Sequence, residues 1–226
     1  MRLVLCDDHR MMRDGLRIIL ENAGLEVVGE AADGREAVRL AEALAPDIVV
    51  MDIVMPELNG VDATRAIVAR CPSVKVIGLS MTAEPRYVET LLAAGASGYL
   101  LKSSAADELI EAVQAVAAGQ PYISPNVTAV ADAPQSSRAQ SSMARAGAAA
   151  SAAPASSRLR RALSAREREV LQLLAEGYSS KEIAARLQVA TTTVESHRRQ
   201  ITDKLKLRTI AELTKYAIRE GLTPLE

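Results

Sequence analysis

Asp47-Ile48-Val49-Val50-Met51-Asp52 is an apolar run closed by a carboxylate. An unbroken run of this length, rich in β-branched residues, reads as a strand covered on both faces, the usual state inside a parallel sheet. The strand is predicted to end at Asp52 and to present that carboxylate at its tip. Three more runs repeat the pattern with other polar groups. Leu3-Val4-Leu5-Cys6 runs into the acid pair Asp7-Asp8, Val74-Lys75-Val76-Ile77-Gly78-Leu79 ends in Ser80, and Tyr99-Leu100-Leu101 is followed by Lys102. In parallel α/β sheets the carboxyl ends of the strands share one edge, where such folds place their sites. Carboxylates, a hydroxyl and an ammonium are thus predicted to meet there. Such a group suits a hard divalent cation and a phosphoryl group.

Around these runs the first half alternates strand and helix. Strands are expected at about 2–7, 25–30, 47–52, 74–80 and 97–101, and helices at about 11–22, 34–44, 60–70, 84–94 and 105–118. Leu16, Ile19 and Leu20 stripe the first helix, and Leu109, Ile110, Val113 and Val116 the last. Strict β-α alternation predicts a doubly wound, five-stranded parallel sheet over residues 1–122. Gly15, Gly60 and Gly95 are read as turns or tight packing.

Residues 123–158 lose all periodicity and fill with Ala, Ser, Pro and Gln, which predicts a solvated linker. As coil, its low-complexity stretch would span roughly 30 Å. Residues 159–226 read as a separate small all-α domain. Ser164 with Glu167 forms a capping box ahead of Val170, Leu171, Leu173 and Leu174, and Gly177 stops that helix. Ser180 is expected to cap a second helix, Lys181 to Leu187. A third is expected at about Thr192 to Leu205 and a fourth at about Thr209 to Glu220. The second and third have the length and spacing of a helix-turn-helix.

The net charge of −1 hides an asymmetry: residues 1–125 carry −7, residues 126–157 carry +1, and residues 158–226 carry +5. An acidic front and a basic rear suggest different partners. Five tyrosines with no Phe or Trp argue against a platform for stacking nucleobases. Cys6 and Cys71 make no disulfide framework and read as free thiols. No apolar run approaches a membrane span, and the start Met1-Arg2-Leu3-Val4 is unlike a signal peptide, so a cytoplasmic chain is expected.

Each strand-end group has a task it can do. An acid pair ligates Mg²⁺ directly or through water. Asp52 can add a ligand and act as the nucleophile, since aspartate forms acyl phosphates. Lys102 can neutralise one phosphoryl oxygen and Ser80 can donate to another. In the rear half, Val194, Ile201 and Leu205 fall on one helix face as core, leaving Glu195, Ser196, Arg198, Arg199 and Thr202 outward, with His197 at the boundary. An exposed helix bearing Arg, Ser and Glu suits base edges.

Residues 1–120 resemble a response-regulator receiver domain. The resemblance lies in Cys6-Asp7-Asp8-His9, Met51-Asp52-Ile53-Val54-Met55-Pro56 with Gly60, Leu79-Ser80, and Gly98-Tyr99-Leu100-Leu101-Lys102. It implies a flavodoxin-like fold of strand order 2-1-3-4-5. It also implies phosphoryl transfer to Asp52 from a sensor histidine kinase. Mg²⁺ would sit among Asp7, Asp8, Asp52 and the backbone carbonyl of Val54, and Ser80 and Tyr99 would form a switch pair. Residues 159–222 resemble a LuxR-type DNA-binding domain of the NarL/FixJ style. The matching stretches are Leu163 to Leu171, Gly177 to Ala184, Thr193 to Arg198, Lys204-Leu205 and Ala211-Glu212-Leu213. That resemblance implies base contacts from Glu195, Ser196 and Arg199, and DNA-phosphate contacts from Lys181, Thr193, Arg198 and Lys204.

Together the two imply a transcription factor that dimerises when phosphorylated and binds paired half-sites, with no substrate turnover. The sequence departs from the family in places. Ser103 follows the lysine where proline is common, so a cis peptide is not expected there. Met81 stands where a small residue is usual and is expected to restrict access to Asp52. Lys206 replaces a frequent glycine, so the turn there is expected to differ. Two rival readings use the same residues. One is an aspartyl-phosphate phosphatase; the other is a phosphate-independent DNA-binding protein with a vestigial front half.

Overall fold

The computed structural model describes residues 1–104, 106–127 and 163–223. The first unit alternates β1 (Arg2–Cys6), α1 (Arg10–Asn22), β2 (Glu26–Ala31), α2 (Gly34–Leu44), β3 (Ile48–Asp52), α3 (Gly60–Arg70), β4 (Lys75–Ser80), α4 (Pro85–Ala93), β5 (Gly98–Leu101), α5 (Ala106–Ala117) and β6 (Tyr122–Ile123). The sheet is parallel throughout, in the order β2-β1-β3-β4-β5-β6. The expected doubly wound sheet is present, with one correction. The five expected strands are joined by a sixth, Tyr122–Ile123, paired with Gly98 and Tyr99. Two residues after Gly119-Gln120-Pro121 are too short for a period-2 signal, and only pairing to the edge of β5 makes them a strand. Packing of this unit continues to Val127, which is buried with Ile53, Val61 and Tyr99.

Side chains of successive strand residues point to opposite faces. Val49 and Met51 therefore enter the layer under α2 and α3, with Val4, Val76, Ala37, Ala41 and Ile67. Ile48 and Val50 enter the layer under α1 and α5, with Leu3, Leu5, Ile77, Leu109 and Val113. Both faces are covered, so β3 is buried at every residue. Gly60 lets α3 start against the end of β3. A Cβ there would lie 2.0 Å from the Asp52 carbonyl oxygen.

The second unit comprises α6 (Ala165–Ala175), α7 (Ser180–Arg186), α8 (Thr191–Leu205) and α9 (Ile210–Arg219). Its core joins Val170, Leu171, Leu173 and Leu174 to Ile183, Val194, Ile201, Leu213 and Ala217. The Ser164–Glu167 capping box forms as expected, and Thr209–Glu212 forms another. The expected cap Ser180 is corrected to Ser179, which closes a box with Glu182 and starts α7 one residue earlier. Only Ser179 has a Glu three residues ahead, which the reciprocal bond needs. Lys206 adopts the left-handed conformation (φ 59°, ψ 27°) at the end of α8, so the helix ends as it would with glycine. The expected linker falls on residues 123–158, of which 128–158 lie outside the described residues, as does the start of the rear domain at 159.

The two units touch through α6. Arg168 pairs with Asp62, and Gln172 bonds Met55 and Asn59. Among the described residues no helix is long and apolar enough to cross a membrane, and no peptide bond is cis.

Candidate functional site

The strand ends bring Asp7, Asp52 and Lys102 into contact. Lys102 Nζ lies 2.7 Å from Asp7 Oδ2 and 2.7 Å from Asp52 Oδ2. Asp7 is fully buried and its Oδ1 accepts the His9 N–H at 2.9 Å. Asp52 is 4% exposed, and its Oδ1 accepts the Val54 N–H at 3.3 Å. Burial pushes the Asp52 carboxyl up to about 6, with the Asp7 charge adding, although Lys102 and the Val54 N–H pull the other way. Lys102 shows the opposite balance. Burial alone would favour its neutral form, but Asp52 and Asp7 hold its pKa above the ordinary lysine value. The two results agree: a buried ion pair that leaves one carboxylate in excess.

Asp8 is half-buried and lies 2.8 Å from His9 Nδ1. Asp7, Asp8 and His9 each bring one potential ligand atom within 4.8 Å of the others, so this cluster can hold a metal ion. Asp7 Oδ2 and Asp8 Oδ1 are buried oxygens that meet Lys102 and His9 in ion contacts. Carboxylate oxygens of this kind are the ligands a hard divalent cation takes. His9 belongs to the first motif, but the sequence assigns it no role. At 74% side-chain exposure it can swing away, leaving an all-oxygen set.

Ser80 is buried at the end of β4 and Tyr99 is buried in β5. Both bind Thr82. The Ser80 hydroxyl accepts the Thr82 N–H at 3.2 Å, and the Tyr99 hydroxyl donates to the Thr82 carbonyl at 2.6 Å. Burial, against the Ser80 hydroxyl beside it, raises the Tyr99 phenol. The expected pair is therefore joined through the backbone of a residue that no side-chain pattern marks. Arg13 is a second residue the sequence did not flag. Its guanidinium donates to the Asp7 carbonyl at 2.6 Å and to Glu30 at 3.2 Å, fixing the turn that carries the acids. Met81 is 82% exposed, with its side chain in solvent.

In the rear unit Val194 and Ile201 are buried and Leu205 packs partly against the same core. Lys181, Thr193, Glu195, Ser196 and Arg199 are exposed. Arg198 is engaged within the unit, donating to Ser180 at 2.9 Å and to Glu195 at 3.2 Å. Lys204 binds Glu167 at 2.7 Å, tying the end of α8 to the capping box of α6. Arg198 and Lys204 therefore carry intramolecular bonds that DNA phosphates would have to share.

Residues 3–114 match the response regulator receiver domain, and residues 161–217 match the bacterial regulatory proteins of the luxR family. The transcriptional regulatory protein DegU of Brevibacillus brevis is 38% identical over 97% of this chain and 94% of its own. The oxygen regulatory protein NreC of Staphylococcus carnosus is 38% identical over 98% and 99%. Among solved structures, that of two RcsB dimers bound to two parallel DNAs is 25% identical, covers 96% of each chain and has a TM-score of 0.54.

Proposed function

From a chain that belongs to the response regulators with a receiver and a LuxR-type DNA-binding domain, we infer a transcription factor switched by phosphorylation of Asp52. The observation that carries the reading is the Lys102 ammonium, 2.7 Å from both Asp7 and Asp52 on the carboxyl edge of the sheet. In the reaction one oxygen of Asp52 attacks the phosphorus of a phosphohistidine on a sensor kinase. The new O–P bond forms as the P–N bond breaks, and the imidazole leaves with the electron pair. Lys102 stays beside the acceptor and offsets charge on the incoming phosphoryl oxygens. Asp7, Asp8, Asp52 and the Val54 carbonyl would hold Mg²⁺, whose charge neutralises the phosphoryl group among these acids. Ser80 accepts the Thr82 N–H through an oxygen lone pair, so its own O–H is available to donate to a phosphoryl oxygen. Drawing Ser80 toward the phosphoryl group would pull on the Thr82 backbone that Tyr99 also holds, a local change able to bias a two-state element.

In the rear domain α8 enters the major groove. Glu195, Ser196 and Arg199 face base edges, while Lys181, Thr193, Arg198 and Lys204 face phosphates. The phosphorylated chain dimerises and takes paired half-sites. It works in the cytoplasm, and its one covalent reaction is on itself, so no turnover of small substrates is expected. Incubation with acetyl phosphate and Mg²⁺ tests this. Intact mass should gain one phosphoryl group in the wild type and none in Asp52→Ala, and dimer size and affinity for paired sites should rise together. Equal DNA affinity for both proteins, with and without the phosphodonor, would defeat the phosphoryl switch.

A further inference from the structure

Helix α6 and its C-terminal cap residue Glu176 carry a polar stripe at Arg168, Gln172 and Glu176, spaced four apart and so on one face. That face meets the loop leaving Asp52. Arg168 reaches Asp62 with two nitrogens, at 2.9 and 2.7 Å. Gln172 is fully buried and uses both ends of its amide. It donates to the Met55 carbonyl at 2.8 Å and accepts from the N–H and the side chain of Asn59, each at 3.0 Å. Glu176 accepts from Gln172 at 2.8 Å and from the Glu57 N–H at 3.4 Å. Arg35 with Glu169, and Arg186 with Glu57, flank the contact. At a second point Gly221 packs so closely on Tyr87 of α4 that a Cβ there would lie 2.2 Å from the ring.

The opposite side of α6 faces its own domain. Val170, Leu171 and Leu174 pack in one core with Val194 and Ile201 of α8. So α6 lies between the receiver and α8. Thr193, Glu195, Ser196 and Arg199 are exposed with both units in place. The contact covers residues 55–62 and the Tyr87 face, not the helix read as entering DNA.

We propose that the loop 55–59 and the first turn of α3 form a docking surface for α6 of the same chain, and that the docked monomer binds a single DNA half-site as well as the undocked one does. The proposal rests on α8 being the DNA-reading helix. Docking then ties α6 to the segment that follows the acceptor strand without hiding the reading helix. Phosphorylation raises affinity for paired sites by joining two domains, an effect of effective concentration.

The test uses the unphosphorylated full chain, with Gln172→Ala and Asp62→Ala loosening the contact from opposite sides. Neither substitution alters the charge of the DNA-binding domain. The probe is a labelled duplex selected on the wild-type protein and trimmed to one half-site. Hydrogen exchange at residues 55–62 reports docking, and anisotropy reports affinity. Both variants should lose protection of that loop, while half-site affinity stays within about threefold of wild type. A gain of about tenfold or more in both, alongside the lost protection, would mean that docking hides the reading helix and would overturn the proposal. Unchanged protection in both variants would also overturn it, because the loop would not be the docking surface. Arg199→Ala is the control for the underlying reading. If it binds the half-site as well as wild type, the assignment of α8 fails, a result separate from failure of the docking claim.

Discussion

At the scale of single residues, Asp52 is a costly group to bury charged. Its carboxyl sits at about 6 in the fold, against about 3.8 free. A carboxyl raised on folding favours the folded state below its unfolded pKa, and that contribution is lost as pH rises through the folded value. Between about 4 and 6 the folded chain therefore binds the extra proton, and above 6 the charged carboxylate weighs against the fold. Asp52→Asn should then raise stability near pH 7.5 by about 2 kcal/mol and make little difference near pH 4. Urea melts of both proteins across that range check this, and an equal difference at both ends would refute it. Asp7, Asp52 and Lys102 were legible as a group because strand ends in a parallel sheet must share an edge. Thr82 and Arg13 were not. Thr82 acts through its backbone, and Arg13 acts on the carbonyl of Asp7, so neither leaves a side-chain motif.

At the scale of elements, the helix ends are where sequence and structure part. Helix α8 starts from Ala190, whose extended backbone (φ −69°, ψ 146°) suits a cap but whose side chain cannot accept a hydrogen bond. Ala190→Ser supplies an acceptor to the first turn and should stabilise the rear domain by about 1 kcal/mol. The other end of α8 holds Lys206 in the left-handed region, where a Cβ is strained. Lys206→Gly should add about 1 kcal/mol, in contrast to the loss expected for glycine inside the helix. Thermal melts of the two variants measure each gain, and destabilisation in either would show that the cap geometry is misjudged. Periodicity located the long helices within a residue or two because their apolar faces are continuous. It missed β6, whose two residues exist as strand only by pairing with β5, and it misplaced the start of α7, where adjacent serines compete and the position of Glu182 decides.

At the scale of the whole molecule, the contact between units could not be read from the sequence, because its partners lie 106 residues apart for Arg168 with Asp62 and 113 for Gln172 with Asn59. Asp62 shows how firmly the pair is made. Burial raises its pKa, yet Arg168, Asn59 and Arg65 outweigh that and hold the carboxyl below the ordinary range. The contact therefore stabilises above the normal aspartate pKa and weakens as pH falls through the depressed one. The core of the rear unit shares no residue with the clusters of the first unit, so each unit should melt as its own cooperative body, and the contact can favour a unit only while the other is folded. The first unit to melt on heating must break the contact as it unfolds. The second then melts alone and no longer feels it. Gln172→Ala leaves buried backbone groups of Met55 and Asn59 without partners, a cost of about 1–3 kcal/mol. In scanning calorimetry it should lower the earlier transition by several degrees, since about 1 kcal/mol shifts a domain of this size by about 4–8 °C, and it should leave the later transition in place. A shift of the later transition alone, or no shift at all, would show that Gln172 does not join the two units in solution.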